Sequence, residues 1–257
     1  MLGIQEKSAI TEHHNDGNVL KVLELKPDEF ENLVGELINI IPDYYVDPLS
    51  IADTLERLGK KVAAEKLRIK IPEVKNIRSG DIGEVLASDY IEESTGYSVP
   101  IRKLRWRDHR NMAMRGDDVI GIFLNQEKNT ISFLKTEAKA NKSLSRKVLR
   151  DARGELDLDG GLPSPHALAF ITQRLLETGQ IELANLIEKA QLADGIKTNQ
   201  VEHLLFTFTA SDPGSLQKEA FEEYEGDIVQ NSIGLKIKEH QELISSVFQG
   251  VIDGLND

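Results

Sequence analysis

The chain contains no cysteine. It therefore has no disulfide, no zinc–thiolate centre and no thiol nucleophile. Aromatic residues are scarce, at 5% of 257 residues, and there is a single tryptophan. No stretch approaches the length of a membrane span, and Met1 to Asn15 has no apolar segment of the secretory kind. A bacterial-type cytoplasmic protein without a membrane partner is the expectation. The metalloprotease pattern H-E-x-x-H is missing, and His13, His14, His166, His203 and His240 are scattered, so a zinc site is not expected. The phosphate-binding loop G-x-x-x-x-G-K is missing too. ATP hydrolysis is thus not expected on this chain, and any motor has to come from another subunit.

What remains is a strongly charged chain, with a net charge of −12 that looks wrong for a handler of nucleic acid. The distribution of that charge points the other way. Arg102 to Arg115 holds six basic residues and one acid, a net +5; Lys135 to Arg153 holds seven basic and two acidic, again +5. The rest of the chain carries −22. Such concentration suits phosphate contacts near one site, with Arg107, Arg110, Arg115, Lys142, Arg146 and Arg150 as the candidates. The acidic remainder discourages indiscriminate binding along duplex.

With 40% hydrophobic residues the chain can bury one sizeable core and an appended subdomain. Phe30, Leu33, Val34, Leu37, Ile38 and Ile41 recur at helical spacing, and Ile51, Leu55, Leu58, Val62 and Leu67 repeat the pattern after the Pro42 to Pro48 break. Residues 1–78 therefore read as a mainly helical N-terminal region. A helix is predicted from Asp81, with Asp81-Ile82-Gly83-Glu84 matching a capping box. A short strand is predicted over 99–107 and a basic helix over Ser143 to Leu156, capped by Ser143 or Ser145. Helices follow at 166–178 and 181–193, then a buried strand over Val201 to Thr209. The order of elements over 79–215 argues for an α/β core. Residues 216–257 read as a helical C-terminal region packed on it.

The chemistry concentrates between Arg115 and Asn141. Asp118 to Leu124 is an apolar run, Asn125-Gln126-Glu127-Lys128-Asn129 is turn-like, and Thr130 to Ala140 is a second run. A turn centred between Glu127 and Lys128 places Asp118 opposite Glu137, roughly 5 Å away. Lys139 shares the face of Glu137. Two carboxylates and an ammonium then converge. A half-residue shift of the turn selects Asp117 instead; Asp118 is favoured because it opens the apolar run. Glu-x-Lys also occurs at Glu24-Leu25-Lys26 and Glu73-Val74-Lys75, but neither has an acid placed across a hairpin. Charges set among Ile131, Phe133, Leu134, Ala138 and Ala140 are costly unless paired or bound to a metal. Glu84 can be read as a capping residue or as an accessory acid. Trp106 reads as a packed aromatic rather than a base-stacking one.

A helix, an acid, Glu-x-Lys and a second helix resemble the PD-(D/E)xK nuclease superfamily. More narrowly, Gly80-Asp81-Ile82-Gly83-Glu84, Arg115-Gly116-Asp117-Asp118, Thr136-Glu137-Ala138-Lys139 and the helix from Leu144 to Leu156 resemble HamA, the nuclease subunit of Hachiman anti-phage defence systems, over about residues 75–210. The resemblance implies a restriction-endonuclease-like core, a mixed central sheet flanked by helices. It implies a metal-dependent DNase held in check by a partner helicase subunit, HamB. Asp118 and Glu137, with the carbonyl of Ala138, would hold Mg²⁺ or Mn²⁺. Lys139 would orient water and stabilise charge, and Glu84 would be the accessory helix acid. One departure is that Asp117 stands where the superfamily has proline, which leaves both aspartates in play. Two other readings are a non-catalytic DNA- or helicase-binding subunit with a nuclease-like fold, and a repair or junction-resolving nuclease.

Overall fold

The computed structural model describes residues 1–125, 127 and 130–256. Its described strands form one mixed sheet flanked by helices. An N-terminal hairpin, β1 (Ser8–Asn15) and β2 (Asn18–Leu25), leads into α1 (Phe30–Tyr45), α2 (Pro48–Leu58), α3 (Lys60–Arg68) and the long α4 (Lys75–Ser94). A second hairpin, β3 (Val119–Asn125) and β4 (Thr130–Ala140), is followed by α5 (Arg146–Asp157), α6 (Pro165–Glu177) and α7 (Ile181–Lys189). Strand β5 (Val201–Thr209), α8 (Gly214–Glu222), β6 (Gln230–Lys236) and α9 (His240–Gly254) complete the chain. The strand order is β1-β2-β6-β5-β4-β3. The two hairpins are antiparallel and lie at opposite edges, and the three inner pairings are parallel.

Burial explains the elements. β5 is buried along nearly its whole length, as an inner parallel strand covered on both faces must be. Helices α1, α4 and α9 pack their apolar stripes on one face, against Leu134, Phe206, Phe208 and Leu235. Helices α6 and α7 cover Ile120, Ile122, Ile131 and Phe133 on the other, and α5 closes over Leu205.

Several expectations are corrected. The first 25 residues supply two strands, and 216–257 supplies β6 between two helices, so the sheet draws on all three sequence regions. Asp16 and Gly17, both with positive φ, form the two-residue turn of the first hairpin. The stripe through Leu55, Leu58 and Val62 breaks at Gly59 (φ +84°), and these three side chains are exposed. The segment 99–107 is not a strand. Only Ser98 bridges to Ile122, Pro100 can donate no ladder bond, and Lys103–Trp106 is a 3₁₀ turn. Helix α4 begins at Lys75, six residues before Asp81, so Asp81 and Glu84 lie inside it and form no capping box. For the predicted turn at 125–129, Gln126, Lys128 and Asn129 lie outside the described residues.

Asp81 instead anchors three elements. It is buried, pairs with both terminal nitrogens of the buried Arg107, and accepts the Tyr45 hydroxyl at 2.5 Å. On the far face, His203 of β5 donates from Nε2 to the Gly161 carbonyl at 2.7 Å, which leaves Nδ1 to accept from Arg153 at 2.8 Å. That pattern fits only the neutral ring, and burial first, with Arg153 and Lys135 adding, pushes its pKa down to about 4.

Two outcomes are expected. Asp81→Ala strands the Arg107 guanidinium without a counter-charge and should lower stability in urea unfolding by about 3–5 kcal/mol. For His203 the unfolded chain takes up a proton first, so its contribution is complete above the ordinary pKa of 6.5 and fades as pH falls toward 4. Between pH 7 and 4.5 the wild type should lose about 2 kcal/mol more than His203→Gln, read from paired urea midpoints.

Candidate active site

Val119 pairs with Thr136 at the start of β3, the register expected from a turn centred between Glu127 and Lys128. Asp118 immediately precedes that pair, so it meets Glu137 across the hairpin. β4 continues to Ala140 alongside β5, while β3 has no further residue to offer. The strands part here, and one edge of β4 opens. Asp118 caps it: its Oδ2 accepts the Ala138 N–H at 2.9 Å. The N–H and C=O of one strand residue point to the same edge, so the Ala138 carbonyl faces the same opening. Glu137 projects beside it, and the Lys139 ammonium donates to Glu137 Oε1.

Asp117 is turned away. Its Oδ2 accepts the Ser164 N–H at 2.8 Å, and its Oδ1 lies 3.6 Å from Lys135 Nζ. Lys135 is 1% exposed and also donates to the carbonyls of Leu158 and Leu162 at 2.8 and 3.0 Å. Gly116, at φ +83°, makes the bend that precedes the two aspartates, a backbone that L side chains rarely adopt. Asp117 is a structural anchor; Asp118 is the acid at the fork.

Glu84 reaches the site from α4. Gly83 lets that helix approach β4, since a Cβ there would stand 3.1 Å from that of Ala140. Between Glu84 and Asp118 sits Lys103, which no motif in the sequence marks. Its Nζ lies 3.6 Å from Glu84 and 3.9 Å from Asp118 and donates to the Asp117 carbonyl at 2.9 Å. Only its place in the basic stretch before the hairpin could have drawn attention to it.

The electrostatics follow. Burial first, opposed by Lys103 and reinforced by Asp118, pushes the Glu84 carboxyl up to about 8. Burial and then the Asp118 charge push Glu137 up to about 8, against the pull of Lys139. Burial works against the Lys139 charge too, but the hydrogen bond and charge of Glu137 outweigh it, so its pKa is raised. Lys139 is therefore a held ammonium, suited to stabilising negative charge rather than taking a proton.

A sequence model of the HamA family matches residues 4–251, a span that takes in all six strands. The chain belongs to the HamA family. It is similar to the Hachiman protein HamA of Bacillus cereus, with 24% identity over 183 residues. That match covers 71% of this chain and 64% of the relative, so the chain aligns to a little under two thirds of the relative's length. The family match is wider than the blocks over 75–210 that carry the resemblance in sequence.

In this HamA-family chain the six expected phosphate contacts divide. Arg107 is corrected: it is buried on Asp81 and offers nothing to a phosphate. Arg110 pairs with Glu73 at 2.5 Å and Arg146 with Glu219 at 2.7 Å, the latter an exposed pair of little energetic weight. Arg115, Lys142 and Arg150 are exposed and form no ion pair among the described residues. No helix of the described residues is long and apolar enough to cross a membrane.

Among the described residues, no group of three or more His, Cys, Asp or Glu side chains is arranged to hold a metal ion. Glu84 is separated from the other acids by Lys103 and is not drawn into a cage with them. A Mg²⁺ ion, however, takes only one or two carboxylates and completes its shell with water and phosphate oxygens. Asp118, Glu137 and the Ala138 carbonyl, all hard oxygen donors at one opening, fit that requirement.

The two adjacent aspartates should behave differently. Asp117→Ala leaves the buried Lys135 ammonium without its counter-charge and should cost about 3 kcal/mol of stability. Asp118→Ala, at a partly exposed position, should cost less than about 1 kcal/mol. Thermal or urea unfolding of both variants tests the assignment, and equal losses would refute it.

Proposed function

We propose that this HamA-family chain is a metal-dependent deoxyribonuclease that hydrolyses phosphodiester bonds as the effector of an anti-phage defence complex. The observation that carries the reading is the strand fork. There Asp118, Glu137, the Ala138 carbonyl and Lys139 meet at one opening, which supports the PD-(D/E)xK reading. Asp118 and Glu137, with the Ala138 carbonyl, would hold Mg²⁺ or Mn²⁺. When bound, the ion would polarise the scissile phosphate and make water a better nucleophile at neutral pH. Lys139, kept protonated by Glu137, stabilises the charge gathering on the phosphate and orients the attacking water. Lys103 balances Glu84 and Asp118 in the free protein. Arg115, Lys142 and Arg150 hold flanking phosphates of DNA. Glu84 acts as the accessory acid through its neighbourhood with Asp118. A helicase subunit of the HamB type is the proposed partner, on the strength of the similarity to a Hachiman protein.

A second reading, a non-catalytic subunit that contacts DNA or a helicase, draws support from the lysines. Lys103 and Lys139 already compensate the acids. Plasmid degradation separates the two readings. The nuclease reading expects cleavage with Mg²⁺ or Mn²⁺, none in EDTA, and a loss on the order of 100-fold or more in Glu137→Gln and in Lys139→Ala. Cleavage that survives EDTA or both substitutions would overturn this site. Absence of Mn²⁺ binding by calorimetry would favour the second reading.

A further inference from the structure

Beside the fork lies a cavity of about 550 Å³, within the range of small-molecule sites. Glu84, Lys103 and Asp118 line it, and Glu137 and Lys139 do not. The cavity therefore opens from one flank of the candidate catalytic carboxylates. The rest of its wall has a different chemistry. Trp106 and Phe170 stand edge to face at 6.1 Å and 86°. The Arg174 guanidinium lies 5.7 and 5.2 Å from their ring centres and is fastened by Glu177 at 2.5 Å. Arg174 is thereby committed to holding the rings rather than to binding phosphate. Met112 adds a thioether that is 63% exposed. Arg115, on the same wall, is exposed and has no ion pair among the described residues.

Flat rings, a polarisable sulfur and a free cation next to phosphate-handling carboxylates match a nucleotide: a π-faced base and one phosphate. We infer that the cavity receives one unpaired nucleotide adjoining the scissile phosphate. The base rests against Trp106, Phe170 and Met112, and Arg115 meets the neighbouring phosphate. The inference rests on the nuclease reading for the identity of the adjoining group and adds a substrate class to it. A base can enter only if it leaves its stack, which costs a few kcal/mol in intact duplex and little in a single strand or frayed end. The enzyme so described prefers unpaired DNA, including the stretches that open in a supercoiled plasmid.

Because Trp106 is the only tryptophan, its fluorescence reports on this cavity alone. The test titrates the wild-type protein in EDTA, where cleavage is not expected, with an eight-residue oligothymidylate and with a blunt, closed hairpin duplex. The expected result is quenching by the single strand at an affinity at least about tenfold above that for the hairpin, since stacking is worth about 1–3 kcal/mol per base. Met112→Asp changes an exposed wall position without touching the core. It should weaken the single-strand response about tenfold and leave hairpin binding unchanged. Equal quenching by both ligands, no quenching by either, or an unaltered Met112→Asp response would overturn the inference. Metal-dependent cleavage without single-strand quenching would remove the inference and leave the nuclease reading standing. Quenching without any metal-dependent cleavage would do the reverse.

Discussion

One hydrogen bond, from the Ala138 N–H to Asp118 Oδ2, holds the candidate site together. A strand that loses its neighbour exposes backbone groups that need partners. Here the missing partner is replaced by a carboxylate from the residue just before the neighbouring strand begins. The same bond fixes where Asp118 stands, directs its second oxygen toward Lys103, and leaves the carbonyl of the capped residue facing the opening. Everything proposed for the chemistry depends on β3 starting one residue after Asp118. A longer β3 would pair with Ala138 directly and close the edge.

Charge around the fork is balanced locally rather than by solvent. Lys103 answers Glu84 and Asp118, Lys139 answers Glu137, and Lys135 answers Asp117. Only the last pair is deeply enclosed, and its lysine is held by two loop carbonyls as well. The other two lysines are more open, and Glu84 and Glu137 carry raised pKa values because burial, with the Asp118 charge adding, exceeds the compensation supplied. The Asp81–Arg107 pair serves the same site at a distance, because it fixes α4 one helical turn from Glu84.

The hairpin register was legible because it depends on short-range pattern: two apolar runs, a polar turn, and an acid whose opposition follows from counting. β5 and the capped start of α5 were legible for similar reasons, since a bracketed run of Leu, Phe and Thr and a serine cap are local signals. The N-terminal hairpin was missed although Asn15-Asp16-Gly17-Asn18 carries a turn signal. β1 is a polar edge strand, largely exposed, and lacks the apolar alternation by which strands are recognised. β6 was missed for a tertiary reason. Its seven residues, Gln230-Asn231-Ser232-Ile233-Gly234-Leu235-Lys236, owe their extended form to two flanking parallel strands rather than to composition. Arg107 and Lys103 were indistinguishable within one basic run. Burial sent the first to Asp81 and the second to the acids, and no spacing rule foretells that.

The position of β6 between β2 and β5 bears on how the molecule assembles. The Gln230 N–H donates to Asn18 Oδ1 across 212 residues of sequence, so the leading hairpin can join the sheet only after the last described strand has been made. During synthesis, β3, β4 and β5 can associate among themselves while the opening hairpin waits without a neighbour. The sheet is zipped shut from its middle, late, by a strand whose arrival joins β2 to β5. A chain interrupted before residue 230 would leave that gap unfilled, so the sheet becomes continuous only when β6 has been made.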